Sequence, residues 1–353
     1  MKRFCFSPIH VSSIFRWCLP ILATFVITQA ARADTWKLTV GAQSPSKGRQ
    51  VLAFLPNEVW IELNDSITWK FASDEIHTVT FLTQDTLAIP QVRPSFQAGC
   101  PGTTPSGSSF NGTVCVNSGT QTTGATYTVK FSRIGNFKLV CLVHNNMTGV
   151  VHVIDRFDNP VNTALFKTQD FYDDETVEEA AELLKDRGND GDVEEGDLLN
   201  DRSAFTKNQV TAGIGKIVAT PGGSSTLSIM RFFDHTLTIH AGDTVTWSNN
   251  DPVTPHTVTF GTEPAPNLLF PPSSNVDNGG DGTDGARSIT VTSPTENVHS
   301  GFLMATAQDQ VGLPQNNLTK TEFRVTFAKA GTYNYICALH DTLGMKGTVV
   351  VLP

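Results

Sequence analysis

Two sets of residues in this chain have the types and spacing for metal chemistry. The first runs Cys141-x-x-His144-x-x-Met147, with His77 far upstream; the second runs Cys337-x-x-His340-x-x-x-x-Met345, with His256 upstream. Each upstream histidine opens the same His-Thr-Val-Thr-Phe stretch. Two imidazoles and a thiolate in a trigonal plane, with a weak axial thioether, form a blue-copper site. Soft sulfur favours Cu(I) and imidazole also suits Cu(II), so one rigid frame could serve both oxidation states. Zinc would want four strong ligands, and methionine is a poor one. A lone buried cysteine is ordinarily a small hydrophobe. The same four residue types recurring in matching frames make the copper reading specific.

The elements that must hold these residues repeat with them. PNEVWIELNDSITWKFASDEIHTVTF (56–81) parallels FDHTLTIHAGDTVTWSNNDPVTPHTVTF (233–260), and FSRIGNFKLVCLVH (131–144) parallels FAKAGTYNYICALH (327–340). Each copy closes on Met-x-Gly and an apolar run, MTGVVHVI and MKGTVVVL. Apolar and polar residues alternate through these stretches, the period of half-buried strands. Many short strands between turn signals predict an all-β chain of two Greek-key β-sandwich domains, 34–154 and 210–353. An acidic, partly helical linker, 155–209, joins them. Each domain carries a long polar insertion before its cysteine strand, roughly 84–125 and 261–318.

These motifs resemble the cupredoxin family, which includes plastocyanin, pseudoazurin and amicyanin. The resemblance rests on Gly-x-aromatic-x-x-Val/Ile-Cys-x-x-His followed by Met-x-Gly, and covers about 250 residues in two blocks. The second spacing is similar to plastocyanin and pseudoazurin, and the first to amicyanin. It implies one type 1 copper per domain, Cu(I)/Cu(II), held by His77, Cys141, His144 and Met147 and by His256, Cys337, His340 and Met345. The family often places Asn after the upstream histidine, hydrogen-bonded near the thiolate; here Thr78 and Thr257 stand there.

The 353 residues carry a formal charge of −9. Residues 155–205 alone hold 16 acids and 5 bases, while 34–154 and 206–353 are close to neutral. No basic stripe exists for nucleic acid. Residues 1–33 have a basic start, a short apolar run and Ala31-Arg32-Ala33, the pattern of a signal peptide cleaved after Ala33. The reading is therefore a periplasmic or secreted protein with no stable membrane insertion. Cys5 and Cys18 leave with the signal. Cys100 and Cys115 share one Gly/Pro/Ser/Thr-rich loop and are expected to pair in an oxidising compartment. In the linker, Thr176–Lys185 reads as a helix opened by a Thr176/Glu179 capping box; the rest reads as a solvated spacer that keeps the domains apart. His152 and His240 are expected to face solvent.

The function expected is that of a carrier of single electrons between redox partner proteins, not an enzyme. A two-domain copper oxidase or nitrite reductase would need His-x-His pairs and a histidine beside the blue-copper cysteine. Here Val140 and Leu142 flank Cys141, Ile336 and Ala338 flank Cys337, and no His-x-His occurs. Periplasmic copper storage or delivery is the alternative, though five methionines are few for a Met-rich chaperone.

Overall fold

The computed structural model describes residues 33–83, 100, 102–155, 167–185, 207–265, 271–279, 286–305 and 320–353. The expected signal peptide, up to Arg32, lies outside them. So does most of the linker. No helix among the described residues is long and apolar enough to cross a membrane.

Among the described residues the first half has ten strands: β1 (Thr35–Gln43), β2 (Arg49–Leu55), β3 (Glu58–Glu62), β4 (Ser66–Phe71), β5 (Thr80–Phe81), β6 (Ser108–Phe110), β7 (Val116–Asn117), β8 (Thr126–Phe131), β9 (Gly135–Val140) and β10 (Thr148–Ile154). Helix α1 (Gln169–Lys185) follows. The second half repeats the series: β11 (Gln209–Thr220), β12 (Gly223–Phe233), β13 (Thr236–His240), β14 (Thr244–Asn250), β15 (Thr259–Phe260), β16 (Ala286–Val291), β17 (Val298–His299), β18 (Glu322–Phe327), β19 (Gly331–Ile336) and β20 (Lys346–Leu352).

Strand n of the first half corresponds to strand n + 10 of the second. One sheet runs β2-β1-β4-β8-β6 and its counterpart β12-β11-β14-β18-β16. The other runs β3-β10-β9-β5-β7 and its counterpart β13-β20-β19-β15-β17. In each half β1 or β11 lies parallel to β4 or β14, the crossing connection of a Greek key. The alternation seen in the sequence places one face of each sheet against the other. In the first half Trp69, Phe81 and Phe131 pack between the sheets; in the second, Trp247, Phe260 and Phe327 do, with Trp-to-Phe centroids 5.8 Å apart in both. The fold class is as expected, two β-sandwiches of one topology.

The halves are not held apart. β2 pairs antiparallel with β12, so a sheet runs through the junction without a break. The pairing is self-complementary. Val40 faces Phe54 just before the Gly41 bulge, and Ala212 faces Phe232 just before the Gly213 bulge. Phe54 is thus equivalent to Phe232, and Gln50 to Ser228. Those two equivalent residues are paired with each other at the centre of the β2–β12 ladder. Such a contact has the local two-fold of an isologous dimer, built here within one chain. Arg231 adds a tie: its guanidinium donates to Ser46 O at 2.9 Å and to Leu343 O at 2.7 Å.

Helix α1 seals the junction. It begins seven residues before the expected Thr176, capped by Thr168, whose Oγ1 accepts the Phe171 N–H at 3.2 Å. Thr176 lies inside the helix and donates its hydroxyl to Leu55 O at 2.9 Å. The proposed capping box is therefore corrected: its Thr docks the helix on β2. Tyr172 bonds both the N–H and the C=O of Trp60. Leu183 enters a third apolar cluster with Val51, Ala53 and Leu55 of β2 and Leu227 of β12. The described part of the linker is a clamp rather than a spacer.

Docking has a cost at Glu179. Burial, with Glu175 and Glu182 nearby, pushes its carboxyl up to about 7. A carboxyl raised on folding binds its proton more tightly in the folded state. Its contribution to stability is full below about 4.5 and is lost as pH rises through about 7. Thermal unfolding is expected to show about 1–2 kcal/mol less stability at pH 8 than at pH 5 from this group, discounted for partial exposure. Glu179→Gln should remove that difference; an unchanged pH dependence would refute the assignment.

The Cys100–Cys115 disulfide is present, with Cα atoms 5.4 Å apart. His240 is exposed, as expected. His152 is not fully so: its ring stacks on Trp60 at 3.9 Å and bonds Asn136 and Glu58, leaving it half-buried.

Candidate metal centres

Each half gathers its upstream histidine, cysteine and downstream histidine at one end of the sandwich. The ligand atoms of His77, Cys141 and His144 lie within 4.8 Å of one another, as do those of His256, Cys337 and His340. All six residues are buried. The upstream histidine precedes β5 or β15; the other two lie on the loop leaving β9 or β19. Those strands pair directly, which brings the residues together across the sequence.

The loops close by the same backbone bonds. Cys141 N–H donates to Met147 O at 3.0 Å, and Cys337 N–H to Met345 O at 3.1 Å. The residue before each methionine is left-handed, Asn146 at φ 60° and Gly344 at φ 94°. The second loop, longer by two residues, contains the 3-10 turn Asp341–Leu343, the turn that Arg231 holds. Met147 and Met345 are fully buried in the same apolar clusters as the cysteines.

The donor atoms converge correctly for a trigonal metal. In the second half Cys337 Sγ is 3.4 Å from His340 Nδ1 and 3.8 Å from His256 Nδ1, and the two nitrogens are 3.1 Å apart. Bonds of about 2.0–2.3 Å in a trigonal plane would set such edges at about 3.5–3.7 Å. In the first half Cys141 Sγ is 3.8 Å from His144 Nδ1, and His77 Nδ1 is buried with no hydrogen-bond partner. An imidazole nitrogen orphaned beside a thiol fits a metal ligand.

Protein groups alone already charge these sites. Burial would raise both thiols, but the facing imidazoles outweigh it and hold Cys141 and Cys337 well below the usual thiol range. Burial would lower His144 and His340, yet the thiolates and Glu75 push them up to about 9 and about 10. His77, without a carboxylate in hydrogen-bond contact, is lowered by its burial. The preformed thiolates are the form a metal needs, and metal binding would displace the ring protons facing them.

The threonines after the upstream histidines take up part of the role that Asn often has in the resembling family. The Thr78 N–H donates to Cys141 Sγ at 3.4 Å, and the Thr257 N–H to Cys337 Sγ at 3.3 Å. Their hydroxyls accept the N–H groups of Leu142 and Ala338, each at 2.8 Å. The start of the thiolate loop is thus tied to the histidine strand at two points.

The outer faces of the upstream histidines differ. Ser73 Oγ lies 2.8 Å from His77 Nε2, whereas the equivalent residue, four after the shared tryptophan, is Asp251 in the second half. Asp251 is fully buried; its Oδ1 accepts the N–H groups of Val253 and Thr254, and its Oδ2 stands 4.0 Å from His256 Nε2. Sequence reading passed over both. It also missed Gly41 and Gly213, bulge residues at φ 71° and 78° that lie against these rings, and Glu75.

The plastocyanin/azurin family of copper-binding proteins matches residues 221–352. These residues belong to the cupredoxin family. Among curated relatives, plastocyanin of Nostoc punctiforme is 33% identical over 123 residues, which are 35% of this chain and 66% of that protein. Plastocyanin of Scenedesmus fuscus is 28% identical over 120 residues, 34% of this chain and 85% of that protein. A solved fern plastocyanin mutant is 20% identical, covers 40% of this chain and 98% of its own, and has a TM-score of 0.21. The family match lies in the second half of the chain. The first half shares its strand order and its His-Cys-His group. One type 1 copper in each half is consistent with both groups.

Proposed function

We propose that the chain is an exported carrier of single electrons, with His77, Cys141, His144 and Met147 holding one copper and His256, Cys337, His340 and Met345 the other. The observation that carries this is the pair of buried His-Cys-His triangles. Bound copper would supply the one-electron couple. The protein's part is to keep the donors still: strand pairing, the Thr78 and Thr257 N–H bonds and the closed loops oppose any change of geometry between oxidation states. A catalytic metal keeps an open position for water or substrate; the burial of all six His and Cys residues speaks for a carrier instead. The same burial disfavours copper delivery, which requires ligands that exchange.

Export after cleavage at Ala33 and a periplasmic or secreted location are supported by the Cys100–Cys115 disulfide, a bond of oxidising compartments. Electron donor and acceptor proteins are the partners this reading requires. The test is to load the mature protein with Cu(II). Two coppers per chain with an intense blue absorption bleached by ascorbate are expected. A colourless protein that binds only Cu(I), or additional type 2 copper with oxidase or nitrite reductase turnover, would overturn the carrier.

A further inference from the structure

Glu75 precedes a ligand histidine by two residues in the first half, and its side chain reaches both sites. The residue is buried. Its Oε1 lies 3.2 Å from His144 Nε2 and its Oε2 lies 3.4 Å from His340 Nε2. The Nδ1 atom of each of these rings faces its own cysteine sulfur. The outer Nε2–H of each ring is therefore free to donate, and one carboxylate accepts from a ligand of each centre.

The local two-fold explains why there is one such bridge. The equivalent of Glu75, six residues after the shared tryptophan, is Val253. Val253 crosses in the opposite direction and packs into the core of the first half. One arm of the symmetric exchange is apolar and the other is charged, so a single carboxylate sits between the two rings without a second acid to repel it.

We propose that Glu75 is a positioning residue shared by both copper sites, and that it couples their potentials through His144 and His340. This rests on the carrier reading above. A carboxylate behind a ligand imidazole raises the ring's basicity and favours the more positive metal state. Shared between two rings, that donation is divided. When one site is oxidised, its ring draws more strongly on Glu75 and the other ring receives less. Oxidation of one site makes the other harder to oxidise.

The test is spectroelectrochemical titration of the copper-loaded full chain. In the Cys141→Ser background only the second-half site remains. Glu75→Gln is expected to shift the potential of that site positive, although Glu75 belongs to the other half. In the two-site chain, the difference between each potential measured alone and with its neighbour loaded is expected to vanish with Glu75→Gln. Val253→Ala loosens the same interface and keeps the carboxylate. The proposal is overturned if Glu75→Gln leaves the Cys337 site unmoved, or if Val253→Ala moves it as far. Should Glu75→Gln not fold, Glu75→Asp, which keeps the charge but withdraws it, must shift the same potential positive; no shift overturns the proposal. Absence of a blue band in the unsubstituted chain would instead sink the carrier reading itself.

Discussion

Cys337→Ser is expected to remove one copper and about half of the blue absorption, while the Cys141 site keeps its spectrum. The thiolate is one of only three strong donors, and it alone supplies the sulfur-to-copper transition. Loss of a partner outside the ligand set typically costs 10–100-fold in metal affinity; loss of the thiolate should exceed about 100-fold. The fold should survive, because serine is nearly isosteric and the buried site offers hydroxyl partners in His340 Nδ1 and the Thr257 N–H. Cys141→Ser should give the mirror result. Copper analysis and the visible spectrum of each variant decide the matter. Loss of both bands from one substitution would mean that the halves load as a unit. Loss of neither would mean that the cysteines are not the ligands.

The two His-Cys-His groups were legible because the chain states their pattern twice. Cys-x-x-His beside a glycine-opened strand fixes which residues lie on the loop, and the repeated His-Thr-Val-Thr-Phe fixes the strand beside it. The sandwich was legible for the same reason, since alternation such as EVWIEL declares which face is buried. What the pattern does not encode is what covers the other face. β2 reads RQVLAFL and is buried along nearly its whole length. Leu52 and Phe54 enter the first core, while Val51, Ala53 and Leu55 meet α1 and Leu227. An unbroken apolar run in an otherwise alternating chain marks a strand covered on both sides, so that signal was available and pointed to the junction.

Glu75 and Asp251 were illegible for a different reason. An acid near a ligand histidine reads as surface charge unless the tertiary partner is known. For Glu75 that partner, His340, lies in the other half of the chain. The helix start was misplaced because Thr176-x-x-Glu179 imitates a capping box, although tertiary docking on Leu55 O decided the role of that threonine. The glycines were open to a comparison of the repeats. Val40-Gly41-Ala42 and Ala212-Gly213-Ile214 occupy the same place at the start of each copy, and a repeated glycine within a strand implies a bulge or a close approach.

The close approach at Gly213 sets the second large effect. Gly213 has φ 78° at the register shift between Ala212 and Ile214. A side chain there pays the left-handed penalty of about 1–2 kcal/mol. Its Cβ would also overlap the ring of His256 at Nε2. That ring cannot back away, because His256 is fully buried, and Asp251 and the cysteine loop confine it. Overpacking a rigid site adds about 1–3 kcal/mol, so Gly213→Ala should cost about 2–5 kcal/mol in all. If the fold absorbs the strain by turning His256, the second site loses its trigonal geometry and its blue band, and the first site keeps both. Gly41→Ala should be milder. Its Cβ meets the Ser73 hydroxyl first, with His77 Nε2 at 2.8 Å, and a serine can rotate away at the cost of its bond to that ring. Denaturant unfolding and the visible spectra of both variants rank the two effects. A Gly213→Ala chain with unaltered stability and two intact blue sites would show that His256 is not pinned by the bulge, and would remove the strongest physical link between the first strand of each half and its metal.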